Sequence, residues 1–220
     1  MFLPRSARLR RLLRVATAAT FSVCALFATA TESSASGKQA FSTVVIDAGH
    51  GGHDRGAVRP IAGFEKELTL DVARRLEKEL KRSGLRTVMT RTDDSFVSLG
   101  KRSMTANLQK DAVFVSIHFN VGSRLGARGF ESFYRSSESA GLAHAMQRAM
   151  LETIPTENRG VKRRGFYVLR HTEIPAVLLE CGFMSNADEA RIIRTPEFRQ
   201  KLAEKLAAAL VQSARMGDRT

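Results

Sequence analysis

Of the residues in this chain that could bind a metal ion or move a proton, four stand out by position, and three of these stand where strands end. Thr43-Val44-Val45-Ile46-Asp47 runs into Ala48-Gly49-His50-Gly51-Gly52. Ala112-Val113-Phe114-Val115-Ser116-Ile117 runs into His118-Phe119-Asn120, and Pro175-Ala176-Val177-Leu178-Leu179 runs into Glu180-Cys181-Gly182-Phe183. In open α/β sheets the ligand crevice lies just outside the carboxyl ends of the strands. Two histidines and a glutamate placed there point to a metal site with a base beside it. The fourth residue, Glu65, opens a predicted helix.

Each residue also has an ordinary structural explanation. His50 is flanked by Gly49, Gly51 and Gly52, which permit close approach of a ligand and unusual dihedrals, so it is poorly placed for core packing. His53 lies farther from the strand end, next to Asp54 and Arg55, and reads as exposed. Helix phase separates Glu65 from Glu67. Leu68, Val72, Leu76 and Leu80 recur every four residues and mark the buried stripe; Glu65 shares that stripe, whereas Glu67 faces away with Asp71, Arg74 and Lys78. A carboxylate on the inner face needs a partner, either a metal ion or the helix terminus that it would cap. His118 ends an apolar run typical of a strand buried on both faces. Two His and one carboxylate leave a fourth position for water, the layout of a catalytic rather than a structural zinc site. Glu180 would serve such a site as general base and then acid; otherwise it would be ion-paired to an arginine such as Arg170 or Arg191.

The surrounding pattern alternates strands and helices, which predicts an α/β layered fold. Strands are expected near residues 42–47, 85–90, 112–118, 129–134, 166–169 and 176–180, and helices near 65–83, 98–109, 137–152, 186–194 and 196–214. Ser83-Gly84 would end the first helix; Thr195-Pro196 would start the last, with Thr195 as N-cap.

The chain of 220 residues is long enough for one domain with a core of its own. Arg5, Arg8, Arg10, Arg11 and Arg14 precede an uncharged apolar stretch from Val15 to Ala30. This reads as a secretory signal peptide over 1–30, too short for a membrane anchor. Ala28-Thr29-Ala30 is one cleavage pattern; Ser33-Ser34-Ala35 is a second, which would move the cut to 35. Arg10-Arg11 fits both a twin-arginine signal and an Arg-rich general one. Val23 before Cys24 argues against a lipoprotein. Residues 31–40, rich in Ser and Ala, read as a tether to a domain over 41–216. Loss of the leader leaves Cys181 alone, so no internal disulfide is available and a buried structural thiol is expected. It also lowers the formal charge of +13 by five to +8. A basic exported protein suits an anionic polymer or surface, or is simply kept soluble by its charge. Nucleic acid is excluded by the lack of a recognition motif and the scarcity of aromatics.

Taken together, Val45-Ile46-Asp47-Ala48-Gly49-His50-Gly51-Gly52, Glu65-Lys66, Ser116-Ile117-His118-Phe119-Asn120 and Glu180-Cys181-Gly182-Phe183-Met184-Ser185-Asn186 resemble the zinc-dependent N-acetylmuramoyl-L-alanine amidases of the bacterial cell wall (the amidase-3 catalytic domain). The resemblance runs from Thr43 to Leu210. It implies a mixed, mainly parallel sheet flanked by helices on both faces, zinc held by His50, Glu65 and His118, and Glu180 as the catalytic acid. The implied reaction frees peptidoglycan stem peptides by hydrolysing the amide between the lactyl group of N-acetylmuramic acid and L-alanine. Family members often carry Lys and Pro where this chain has His53 and Arg55. Division-associated relatives carry a long insertion that forms a site-blocking helix; the stretch from Phe130 to Tyr167 leaves no room for one, so an open site needing no activator by that route is expected, in the periplasm or cell envelope. The rival readings are a zinc carboxypeptidase on wall peptides, disfavoured because His53 rather than Glu stands three residues after His50, and a non-catalytic wall-binding protein, disfavoured because all four site residues are present.

Overall fold

The computed structural model describes residues 40–216 apart from residue 125. The expected signal peptide and nearly all of the tether lie outside them. In chain order the elements are β1 (Thr43–Ala48), β2 (Val58–Arg59), β3 (Gly63–Phe64), α1 (Glu65–Arg82), β4 (Arg86–Met89), α2 (Leu99–Asn107), β5 (Ala112–Asn120), β6 (Phe130–Tyr134), α3 (Ala140–Leu151), β7 (Asn158–Arg163), α4 (Tyr167–His171), β8 (Ala176–Phe183), α5 (Ala187–Ile193) and α6 (Pro196–Arg215). A single 3₁₀ turn, Ser137–Ser139, leads into α3.

Six strands form one sheet in the order β4-β1-β5-β8-β6-β7. Every neighbouring pair is parallel except β8 with β6. The sheet is therefore mixed and mainly parallel, as expected. The period of two along each strand divides the core between its faces. Val44, Ile46, Val113, Val115, Ile117 and Leu179 pack with Leu68, Val72, Leu76 and Leu80 of α1, Met146 of α3 and Leu206 of α6. Val45, Phe114, Phe133 and Leu178 pack with Ala106 of α2 and Val168 and Leu169 of α4. Helices thus cover both faces, and the central strands are apolar in nearly every position because neither face meets water. The four-residue repeat of α1 is buried throughout, at 6 % exposure or less; each such side chain contributes about 1.5–3 kcal/mol by leaving water. Asp71 on the flank of this stripe joins Arg75 of α1 and Arg199 of α6. At the start of α6, Thr195 Oγ1 accepts from Phe198 N at 3.3 Å with Pro196 in the first turn, as the sequence predicts.

One expected strand is wrong. Residues 166–169 lead into and open helix α4, and the strand of this region is β7, which ends at Arg163. An apolar run of four cannot be assigned to strand or helix by periodicity, and Val168 and Leu169 are buried from a helix. The true strand is polar because it lies at the sheet edge, where Arg159, Lys162 and Arg163 guard an unpaired ladder against other strands.

Candidate metal centre

β1, β5 and β8 are adjacent and parallel, so their carboxyl ends lie side by side. The register places His118 of β5 opposite Glu180 of β8, with a bulge immediately after. His50 follows β1 by two residues, in a loop that runs over the strand ends.

That loop is fastened from beneath by two arginines, each at most 3 % exposed. Arg91 donates to the carbonyls of Ala48 at 2.9 Å, Gly49 at 2.8 Å and Lys66 at 2.8 Å. Arg102 donates to Asp47 Oδ1 at 2.7 Å and to the carbonyls of Ala48 at 2.6 Å and His50 at 2.7 Å. Asp47 also accepts from Ser116 Oγ and Thr90 Oγ1, each at 2.7 Å. Burial alone would raise the Asp47 pKa, but the Arg102 charge and these hydroxyls outweigh it and hold the carboxyl below its usual value. The framework keeps His50 at φ +61°, a left-handed conformation costing about 1–2 kcal/mol for a residue with a Cβ. Gly49 is required for close approach: a Cβ there would lie 2.3 Å from the His118 ring.

The first residue of α1 completes the cluster. Glu65 is 4 % exposed. Its Oε1 lies 3.0 Å from His50 Nε2 and 3.1 Å from His118 Nδ1, and it accepts from Phe119 N at 3.1 Å. Its Oε2 accepts from Ala57 N at 2.9 Å. Glu65 therefore does not cap its own helix. Glu67 is exposed, as helix phase predicts. Burial would raise the Glu65 pKa, but hydrogen bonds from His118 and His50 more than offset it and hold the carboxyl well below the usual range. Burial would lower His50, yet Glu65 and Asp54 raise it. The ligand atoms of His50, Glu65 and His118 lie within 4.8 Å of one another. Donors converging so closely need positive charge between them, whether protons or a cation. Two imidazoles and one carboxylate are a donor set that zinc accepts.

Glu180 stands beside this cluster and shares an open groove of about 460 Å³ with His50, Glu65, His118, Ala57, Arg59 and Asn120. Its Oε2 is buried and has no hydrogen-bond partner. Burial, followed by the charges of Glu65 and Glu131, pushes its pKa well above the ordinary value. The alternative of an ion pair is not realised among the described residues: Arg191 pairs with Asp188 at 2.8 Å, and Arg170 packs beside Gly165. Glu131, opposite Glu180 on β6, is taken up by Arg159 and by Lys162 at 3.2 Å. Cys181 is fully buried against Met150, and His53 is exposed.

Sequence reasoning misses Asp54, Arg91 and Arg102. Asp54 Oδ1 lies 2.9 Å from His50 Nδ1, so this carboxylate orients the imidazole from the side of the ring away from Glu65. Helix phase could have found Arg102, which lies one turn before the buried Ala106 on the inner face of α2. Nothing in the local sequence marks Arg91.

Fold and site together define a mixed α/β domain with a histidine–carboxylate cluster at the strand ends, of a kind that could hold a metal ion, and an unpartnered carboxyl beside it. The Amidase_3 family, described as N-acetylmuramoyl-L-alanine amidase, matches residues 44–212, and the chain belongs to this family. The catalytic domain of CwlV, an N-acetylmuramoyl-L-alanine amidase from Bacillus (Paenibacillus) polymyxa var. colistinus, superposes with a TM-score of 0.75 at 37% identity, covering 78% of this chain and 97% of that one. The uncharacterized protein YqiI of Bacillus subtilis is 39% identical over 167 residues, 74% of this chain and 81% of its own length. The N-acetylmuramoyl-L-alanine amidase LytC of the same organism is 34% identical over 74% of this chain, which spans only 34% of LytC.

Proposed function

We propose that this chain hydrolyses the amide between the lactyl group of N-acetylmuramic acid and L-alanine in peptidoglycan, with His50, Glu65 and His118 holding zinc and Glu180 handling the proton. The observation that carries the reading is a buried, unpartnered carboxyl oxygen on Glu180 next to a cluster of two imidazoles and a carboxylate. Zinc bound there would polarise the scissile carbonyl, lower the pKa of a bound water to roughly 7 and, as a positive charge, favour the ionised form of Glu180.

The chain's own groups do the rest. Asp54 and the Arg102-held carbonyl fix the ring and backbone of His50. Glu65, locked by Ala57 N and Phe119 N, cannot swing away. Glu180 takes the proton of the attacking water and passes it to the departing alanine nitrogen. Arg159 and Lys162 keep Glu131 engaged, so that Glu180 remains the free carboxyl.

Two further features support an exported, ungated enzyme. The Arg-rich leader would carry the chain to the cell envelope, where its substrate lies; among the described residues no helix is long and apolar enough to cross a membrane. The segment between β6 and β7 forms α3, whose Leu142, Ala143, Met146 and Met150 are buried in the core, and it lines neither cavity at the site.

Digestion of purified peptidoglycan with the protein and zinc tests the reading. New L-alanine amino termini should appear without loss of terminal D-alanine. Release of D-alanine, or binding without release of anything, overturns it.

A further inference from the structure

We propose that the stem peptide lies in the open groove beside Glu180, and that Arg59 is a specificity-determining residue there, holding the free carboxylate of the second stem residue. This rests on the amidase reading and deepens it by assigning each end of the substrate to its own space.

Two spaces meet at the cluster. A cavity of about 200 Å³ is walled by Phe96, Leu99, Phe166 and Tyr167, and His50 and His118 line it. The groove of about 460 Å³ is lined by the same two histidines together with Arg59, Asn120 and Glu180. An amide held at the histidines directs its acyl side along one path and its amine side along another. Glu180 decides between them. To pass its proton to the departing nitrogen it must come within hydrogen-bond reach of that atom, about 2.6–3.2 Å. Glu180 lines the groove and not the cavity. The amine side, L-alanine and the residues after it, therefore enters the groove. The lactyl group and its sugar face the cavity, where the rings of Phe96, Phe166 and Tyr167 are partly exposed and offer apolar surface for the C–H groups of a sugar ring to cover.

Among the residues that line the groove, Arg59 alone carries a guanidinium or ammonium group. It sits on β2 opposite Gly63 of β3, and Pro60 after it keeps its backbone extended. The hairpin is fastened to the cluster at its base: Ala57 N donates to Glu65 Oε2, and Glu65 N donates to the Ala57 carbonyl, each at 2.9 Å. Arg59 thus stands two residues from a main chain bonded to Glu65. Its Nη1 donates to the Val58 carbonyl at 2.8 Å. Among the described residues its other nitrogens have no partner, and it forms an ion pair with neither Glu65 nor Glu180, although both line the same groove. Arg55, earlier in the loop, lies instead over the Phe64 ring at 5.6 Å. A guanidinium left unpaired in a groove that holds two carboxyls is free for an incoming anion, and its planar fork matches a carboxylate. Successive residues of an extended peptide are about 3.3–3.6 Å apart, so the second stem residue lies one such step past the alanine held at Glu180. That residue is D-isoglutamate, whose α-carboxylate is free because the stem continues through its γ-carboxyl.

The test uses two soluble substrates, N-acetylmuramoyl-L-alanyl-D-isoglutamate and its D-isoglutamine counterpart, which differ by one carboxylate. The zinc-loaded protein should show a lower KM for the carboxylate form, by about threefold to fivefold for one partly exposed charge pair, and the preference should fade as salt is raised. In Arg59→Gln the two KM values should become equal, in Arg59→Lys part of the preference should remain, and in Arg59→Glu it should reverse, which a merely structural role for Arg59 would not produce. Equal KM values in the unaltered protein, or a preference that survives Arg59→Gln, overturns the proposal. Calorimetric binding of the free L-alanyl-D-isoglutamate peptide separates this outcome from a failed amidase reading. In a protein that hydrolyses neither substrate, peptide binding that weakens in Arg59→Gln supports the site by itself; binding indifferent to that change, or no binding, overturns it.

Discussion

Arg102 holds the main chain of His50: its Nη2 donates to the His50 carbonyl at 2.7 Å while Nη1 bonds Asp47 Oδ1 at 2.7 Å. One buried guanidinium thus ties a histidine at φ +61° to the strand that precedes it. The contact is to backbone rather than to the imidazole, so it fixes where the ring begins, while Asp54 fixes how the ring turns.

Removing that guanidinium should cost both fold and site. Arg102→Ala strands the buried Asp47 carboxylate, a loss of about 3–5 kcal/mol that chemical denaturation would measure. Arg102→Lys restores the charge but not the forked geometry, and should recover some of the stability. Loss of support behind a ligand typically weakens metal binding by roughly 10–100-fold. Competition with a chromophoric chelator should show that loss in Arg102→Lys, even where the variant remains folded. A lysine variant with unchanged metal affinity would show that the carbonyl contact does not position His50.

Gly56 offers a sharper probe of the cluster. At φ +62° a Cβ on residue 56 would stand 2.6 Å from His50 Cδ2 and 2.7 Å from Glu65 Oε2. Gly56→Ala must therefore push one of these side chains away as well as strain the backbone. The expected result is a protein with native circular dichroism, a modest fall in Tm and little bound zinc. Metal content equal to that of the unaltered protein would mean that the loop yields without moving the ligands.

How much of this is legible in the sequence depends on whether a residue's role is local. His118 and Glu180 are visible because each interrupts an apolar strand in its carboxyl-terminal half, and His50 because it follows such a strand in a glycine-rich loop, where such folds keep their sites. Glu65 is separable from Glu67 because helix phase is a local rule, and burial of Glu65 follows from it. Arg91 acts across the fold: it reaches carbonyls on the β1 loop and on α1, and no spacing in the sequence encodes that. Asp54 is close to His50 in the chain, but only the fold of the glycine-rich loop turns the two side chains toward each other. β7 escapes for a related reason. An edge strand faces water along one side and carries charge there, so it lacks the alternation that marks inner strands, while the apolar Phe166-Tyr167-Val168-Leu169 next to it resembles one.

Glu180 divides binding from chemistry. Glu180→Gln keeps the shape of the side chain but cannot accept a proton. Because Glu180 is not among the three converging donors, zinc content should match that of the unaltered protein, whereas kcat should fall by about 10²–10⁴, the usual contribution of a positioned acid or base. His118→Ala should lose metal and activity together. A Glu180→Gln protein with normal turnover would remove Glu180 from the proposed proton route.

The Asp47 network sets the acid limit of the fold. Although burial opposes ionisation, Arg102, Ser116 and Thr90 hold the folded-state pKa of Asp47 below its value of 3.8 in the absence of such partners. A carboxyl depressed by folding contributes stability that is fully present above its unfolded pKa. That contribution is lost as pH falls from there through the lower, folded value. Urea midpoints recorded across the neutral-to-acid range should therefore drop steeply below about pH 4. In Asp47→Asn the starting stability should be lower, because Arg102 loses its counter-charge in a dry site, and the acid drop should be shallower by the amount that Asp47 supplied. A variant as stable as the unaltered protein at neutral pH, with the same acid limb, would show that the buried pair contributes nothing net to the fold, and that Arg102 holds His50 through its carbonyl bonds alone.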